Sequence, residues 1–150
     1  MELECRDEEL LWTVEAPFHS DPPPPGPPGP TDGLWNHEVV ELFLVGGDPA
    51  PTYVEIEISP HGHHLRLRLE GRRNIVESGL PLTFEASIRK DRWQGLVRLP
   101  RRHLPPTPHR LNAFAIHGQG ASRRYLAWTP VPGPEPDFHR LDLFPHVELV

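Results

Sequence analysis

Prolines fall so often along this chain, 21 in 150 residues, that little room is left for a helix. Each lacks a backbone N–H and fixes φ, so it ends a helix and is excluded from an inner strand. Between the prolines the sequence alternates. Tyr53 to Ile58 places Val54, Ile56 and Ile58 on one face and Tyr53, Glu55 and Glu57 on the other; His64 to Glu70 sets Leu65, Leu67 and Leu69 against Arg66, Arg68 and Glu70. A period of two is the signature of a strand. Further strands are expected at Leu10–Ala16, Leu34–Leu44, Leu82–Ile88, Trp93–Leu99, Leu111–His117 and Tyr125–Trp128, with a last edge strand within Asp137–Phe144. No segment sustains a 3.6-residue apolar period with caps. The expected class is all-β: an antiparallel two-sheet β-sandwich of eight or nine short strands, with no substantial helix.

Turn chemistry at Ser59-Pro60-His61-Gly62-His63 joins two of these strands. A hairpin centred between His61 and Gly62 sets Glu57 opposite Arg66 and Glu55 opposite Arg68, each pair contributing up to about 1 kcal/mol. A slip of one residue would set Glu opposite Leu.

A chain of this length buries roughly 70% of its unfolded surface, which suits one domain over residues 1–150. Residues 21–33 form a proline-rich loop, extended and polyproline-like across Pro22 to Pro30. It reads as a spacer or as a ligand for an SH3 or WW domain; the absence of flanking Lys or Arg favours the spacer. A formal charge of -6 argues against nucleic-acid and anionic-membrane partners. Cys5 is the sole cysteine, so neither a disulfide nor a cysteine metal site is expected. Met1 to Leu10 is too acidic for a secretory signal, and no apolar run approaches the roughly 20 residues that span a bilayer. A soluble cytoplasmic protein is the expectation.

Leu34-Trp35-Asn36-His37-Glu38-Val39-Val40-Glu41-Leu42-Phe43-Leu44 is the stretch that carries chemistry. Glu41 sits inside an apolar strand, where a carboxylate must find a partner or serve a function. With Tyr53 to Gly62, this stretch resembles the carbohydrate-binding module family 9-like, or DOMON-like, domains. Ala127-Trp128-Thr129-Pro130 and Pro136-Asp137-Phe138-His139 resemble the terminal elements of the same group. A closer likeness is to the uncharacterised protein family 0462, through Ala16-Pro17-Phe18, Pro60-His61-Gly62, Gly71-Arg72-Arg73-Asn74, Phe114-Ala115-Ile116-His117-Gly118 and Pro136-Asp137-Phe138-His139. The similarity runs from about Leu11 to Phe144. Members of that family have a longer amino-terminal segment with a further strand, so the short acidic Met1–Glu9 suggests a truncated, incompletely covered sheet edge.

The resemblance implies a sugar site. In the sugar-binding modules two Trp rings sandwich a terminal sugar while carboxylate and guanidinium groups bond its hydroxyls. Trp35 and Glu41 match the Trp and the Glu six residues later; Trp128 is the candidate second wall, and Arg66 or Arg68 the candidate donors. The plainer reading has Trp35 capping the sandwich, Trp128 packing in its edge and Glu41 paired with an Arg on a neighbouring strand.

An enzyme reading would use Glu55 and Glu57, roughly 6–7 Å apart on one strand face. The proposed Arg66 and Arg68 count against it, because an adjacent guanidinium holds a carboxylate ionised. No catalytic residue is assigned, and a hydrolase lacks a nucleophile and base set. His61-Gly62-His63-His64 is the densest of the histidine clusters, but no third metal ligand is identifiable by spacing, and haem is disfavoured because Met1 is the only methionine. No metal or cofactor is expected. The function expected is non-catalytic binding of a carbohydrate or other small polar ligand on a face of Arg, Glu and Trp. The alternative is an intracellular scaffold that binds protein through the proline-rich loop or an exposed sheet edge.

Overall fold

The alternating runs between the prolines become strands. The computed structural model describes residues 1–47, 49–134 and 136–149. In chain order its strands are β1 (Glu2–Cys5), β2 (Glu9–Pro17), β3 (Val39–Gly46), β4 (Thr52–Ile58), β5 (His64–Glu70), β6 (Ile75–Glu77), β7 (Thr83–Arg89), β8 (Arg92–Pro100), β9 (His109–His117), β10 (Arg124–Ala127) and β11 (His146–Val147). Helical structure among the described residues is limited to 3-10 turns. All pairings between these strands are antiparallel, and they form two sheets. One has the order β1-β2-β8-β7; the other runs β10-β9-β3-β4-β5-β6, with β11 also pairing β9.

The inter-sheet core follows from parity. Leu10, Trp12 and Val14 of β2 and Trp93, Val97 and Leu99 of β8 face Leu42 and Leu44 of β3, Val54, Ile56 and Ile58 of β4, and Leu111 and Ala113 of β9. The opposite face of the larger sheet is also buried. Phe43, Tyr53, Leu65, Leu67, Leu69 and Phe114 lie there, covered by Leu34 before β3 and by Leu141 and Phe144 near the carboxy terminus. The larger sheet therefore has two packed faces, and the second is closed by loops rather than by another sheet.

Four expectations change. Leu34–Asn36 is a 3-10 turn entered through Gly33 at φ 71°, so the strand begins only at Val39. Asp137–Phe144 is not a strand: Leu141–Leu143 forms a 3-10 turn and the edge pairing falls later, at β11. Met1–Glu9 carries a strand after all, since Leu3 and Cys5 pack on the core while β1 pairs β2 from Glu2↔Thr13 to Cys5↔Leu10. The β4–β5 register is the fourth and most consequential change. The pairs are Glu57↔Leu65, Ile56↔Arg66, Glu55↔Leu67 and Val54↔Arg68. Ser59 N–H donates to His63 O at 2.9 Å and Gly62 N–H to Ser59 O at 3.1 Å, with Gly62 at φ 85°. That is a three-residue loop closed by a left-handed glycine, and an odd loop pairs residues of opposite chemistry here. The Glu–Arg ladder does not form.

β3 meets the long connection before β9 at close range. A Cβ on Gly46 would lie 1.9 Å from the Pro106 carbonyl oxygen, a clash with backbone that no rotamer relieves. Gly46→Ala is expected to destabilise the protein by about 1–3 kcal/mol or more, the range for overpacking, read from the shift in the urea midpoint at unchanged slope.

Candidate functional site

The loop-covered face of the larger sheet encloses a cavity of about 380 Å³. Alternation aims Glu41 of β3 and Glu55 of β4 into it, with Phe43, Leu67 and Leu69 as apolar floor. Trp35 stands on one side, presented by the 3-10 turn and 44% exposed. Tyr125 of β10 and Phe138 stand among the other lining residues, with Phe138 stacked on Phe114 at 3.9 Å between centroids and edge-on to Tyr125 at 6.1 Å. Arg123 ties the rim together. Its guanidinium donates to the Trp35 carbonyl at 2.5 Å and to Gly118 O at 3.0 Å, and lies 5.6 Å from the Tyr125 ring centroid.

A latch holds the segment that carries Phe138. Asp137 accepts from Arg73 Nη2 at 2.7 Å and also pairs with Arg72, while His139 N–H donates to Asp137 Oδ1 at 3.1 Å. Tyr53 Oη shares a 2.8 Å hydrogen bond with His139 Nδ1 and accepts the Arg73 N–H at 3.0 Å. Burial, and then Arg73, push His139 down to about 4, so the ring is neutral at physiological pH. Burial pushes the Tyr53 phenol up to about 12.

The carboxyls on this face lack compensation. No well-formed hydrogen bond reaches Glu41 Oε1, Glu55 Oε2 or either carboxyl oxygen of Glu57. Glu57 lies directly across from Glu41, is fully buried and sits beside Glu55. Burial raises all three. Glu41 is pushed well above the carboxylate range, with the Glu55 charge adding and Arg123 opposing. Glu55 rises to about 7, opposed by the adjacent Glu57 carboxyl and by Arg73. Glu57 rises to about 10, with Glu41 and Glu55 adding and the nearby Trp35 backbone N–H opposing. Glu38, three residues before Glu41, behaves differently. Its two oxygens accept His19 N–H at 2.9 Å and Asp21 N–H at 3.2 Å, anchoring the start of the proline-rich loop.

No family model matches the chain. Curated relatives do. The chain is 45% identical over 146 residues to the "UPF0462 protein C4orf33 homolog" of Danio rerio, covering 92% of this chain and 74% of that protein. It is 47% identical to the Mus musculus homolog, at 92% and 76% coverage, and 44% identical to the Homo sapiens protein, at 92% and 73%. The chain belongs to the UPF0462 family. A crystal structure of a "putative carbohydrate-binding protein" from Bacteroides uniformis shares the fold at a TM-score of 0.71 and 16% identity, over 91% of this chain and 71% of that one.

In this UPF0462 chain the residues singled out from sequence are divided between places. Trp35 and Glu41 meet at the cavity. Arg66 and Arg68 pair with Ile56 and Val54, so they project from the other face of the sheet, where Arg66 Nη1 donates to Pro81 O at 2.7 Å and Arg68 pairs with Glu77 and Glu70. Trp128 follows β10, with its N–H on Ala113 O at 2.8 Å; it is 56% exposed and does not line the cavity. The pairing Tyr125↔Ile116 and Ala127↔Phe114 turns Tyr125 toward the cavity and Trp128 away from it. Sequence reasoning missed Tyr125, Phe138, Arg73 and Arg123. The alternation of Tyr125 with Trp128 held the signal for the first. His63 shares a 2.8 Å bond with Thr31 Oγ1, His61 packs edge-on to Phe18 and His64 edge-on to Phe84. Among the described residues no group of three or more His, Cys, Asp or Glu is placed to hold a metal ion, and no helix is long and apolar enough to cross a membrane.

Glu55 and Glu57 lie opposite Leu67 and Leu65, so no guanidinium directly across the strand pair holds either carboxyl ionised. A carboxyl that stays protonated in the fold keeps a proton that the unfolded chain releases near 4.5. The unfolded state therefore gains on the fold as pH rises from there, up to about 7 for Glu55 and about 10 for Glu57. Glu57→Gln removes the ionisation and keeps the shape. Its stability gain over the parent is expected to grow by on the order of 1 kcal/mol per pH unit above the unfolded value. Urea unfolding at about pH 5, 7 and 9 measures this, and a gap that stays constant with pH refutes it.

Proposed function

We propose that the cavity binds a carbohydrate, taking one sugar ring by its apolar face against Trp35 and Tyr125 and its hydroxyls on Glu41 and Glu55. The observation that carries this reading is the pair of buried, unpartnered carboxyl oxygens in the floor of a cavity with an exposed indole at its rim. A sugar supplies both complements: CH groups for the ring and O–H donors for the carboxyl oxygens. A protonated carboxyl can also donate, so a neutral site suits a neutral polyol. About 380 Å³ is within the usual range for small-ligand sites. The carbohydrate-binding description of the fold neighbour supports the same reading.

The role proposed is non-catalytic. Glu57 is fully buried and is not among the residues that line the cavity, so Glu55 and Glu57 do not flank a space that a glycosidic bond could occupy, as a glycosidase pair must. The proline-rich loop, basis of the scaffold alternative, is pinned to the fold: His64 N–H donates to Gly29 O at 3.0 Å and Thr31 N–H to His64 O at 2.9 Å.

Trp12 and Trp93 are buried, so in a Trp128→Phe background ligand-dependent fluorescence reports on Trp35. Titration with a panel of mono- and disaccharides is expected to give saturable quenching by some members. Calorimetry is expected to show about tenfold or greater weakening in Trp35→Ala and Glu41→Gln and no change in Trp128→Ala. A flat panel defeats the sugar reading and puts the scaffold ahead; release of reducing ends abolished by Glu41→Gln would instead make the cavity a hydrolase site.

A further inference from the structure

The other face of the larger sheet holds a second cleft, of about 600 Å³, that the sugar reading leaves unused. Here the side chains of β5 that face away from Glu41 and Glu55 are bounded by Leu80 and Pro81 before β7 and by the 3-10 turn Arg101–His103 with the segment that follows it. Arg66 is the centre of this cleft. The residue is 4% exposed, and its bond to the Pro81 carbonyl is the one hydrogen bond its side chain makes among the described residues. Its Nε–H is buried with no acceptor. A buried guanidinium without an ion-pair partner is costly, and its free edge is the edge that matches two oxygens of an anion.

The acids nearby are already engaged. Glu77 lines the cleft but pairs with Arg68, as does Glu70 at 2.5 Å. Arg102 also lines the cleft, exposed and without a side-chain hydrogen-bond or ion-pair partner among the described residues. The lining thus carries Arg66, Arg68 and Arg102 against Glu77 alone, a net positive charge of two before His103 is counted. His103 registers that field. Burial first, then Arg66 and Arg102, hold its imidazole below the ordinary value, with Glu77 opposing. Leu80, Leu104 and Pro105 add an apolar wall, and the volume exceeds what a bare phosphate fills.

We propose that this cleft is an oxyanion site for a small phosphate-bearing molecule, its phosphate held by Arg66 Nε–H and by Arg102 at the rim, with His103 alongside and the organic body against Leu80 and Leu104. The site is distinct from the sugar cavity and does not depend on it. It also gives a role to the unused Arg66 donor and the unpaired Arg102.

Calorimetric titration of the full chain with inorganic phosphate and with glycerol 3-phosphate, at ionic strength matched with sodium chloride, tests the assignment. Saturable one-to-one binding is expected. Tighter binding of glycerol 3-phosphate marks an organic phosphate as the ligand class, and equal affinities mark the free anion. Arg66→Gln is expected to weaken binding about tenfold or more, the scale of a charge-assisted hydrogen bond. Since Arg66 is buried and its variant could misfold, Arg102→Ala and Arg102→Glu serve as surface variants. The first is expected to weaken binding about threefold and the second to abolish it. Trp35→Ala leaves both affinities unchanged, which separates this site from the sugar cavity. Failure of both anions to saturate at millimolar concentrations, or equal affinity in the parent, Arg66→Gln and Arg102→Glu, overturns the proposal.

Discussion

The three-residue loop between β4 and β5 decides which side of the sheet every charge in those strands occupies. Gly62 adopts φ 85° and closes the turn against Ser59. Because the loop is odd, the acids of β4 share a face with the leucines of β5, and the arginines of β5 share a face with Val54 and Ile56. An even loop would have created an acid–base ladder along the hairpin and neutralised both faces. The observed loop separates the charges by the thickness of one sheet. Each face is then left with groups that the fold itself does not compensate: carboxyl oxygens on one side and a guanidinium N–H on the other.

Burial acts in opposite senses on the two sides. It drives the carboxyls toward their protonated form, which removes most of the cost of placing three of them together. Arg66 has no such escape, since a guanidinium stays charged; burial only lowers its affinity for the proton within a range far above neutrality. Its compensation has to come from an acceptor, and Pro81 O supplies one of them. The acidic cavity thus suits a neutral polar ligand and the basic cleft suits a charged one.

The fold was legible because alternation and proline position are local signals. Val54, Ile56, Ile58 and Leu65, Leu67, Leu69 identify strands whatever their register, and the prolines mark where strands stop. Register is less local. It turned on whether His61 or the midpoint between His61 and Gly62 was the centre of the turn, a difference of half a residue that moves Arg66 and Arg68 across the sheet. Trp35 and Glu41 were found together because one strand and the turn before it carry both. Tyr125, Phe138 and Arg73 reach the same cavity from three distant segments, and only the pairing of β10 on β9 and the Asp137 latch bring them there. Alternation marks the face of Tyr125, and Arg73 and Phe138 lie in blocks that carry the family likeness, but the joining of the three at one cavity is a long-range property of the fold.

The architecture also explains how the outer face can carry such groups without loss of the fold. Stability rests on the inter-sheet core, where Trp12, Trp93, Ile56 and Ile58 are fully or almost fully buried. The second face is closed by loops that need only a few anchors: Leu34, Leu141, Phe144 and the stacked pair of Phe114 and Phe138. Replacing Glu41 or Glu57 by an apolar residue of similar volume would be expected to stabilise such a face. Glu38 shows that a carboxylate in this same stretch can be satisfied by backbone N–H groups when its role is structural. The contrast between Glu38, with both oxygens bonded, and Glu41, which lines a cavity and keeps a buried oxygen without a partner, is the physical ground for reading the second as part of a site rather than part of the scaffold.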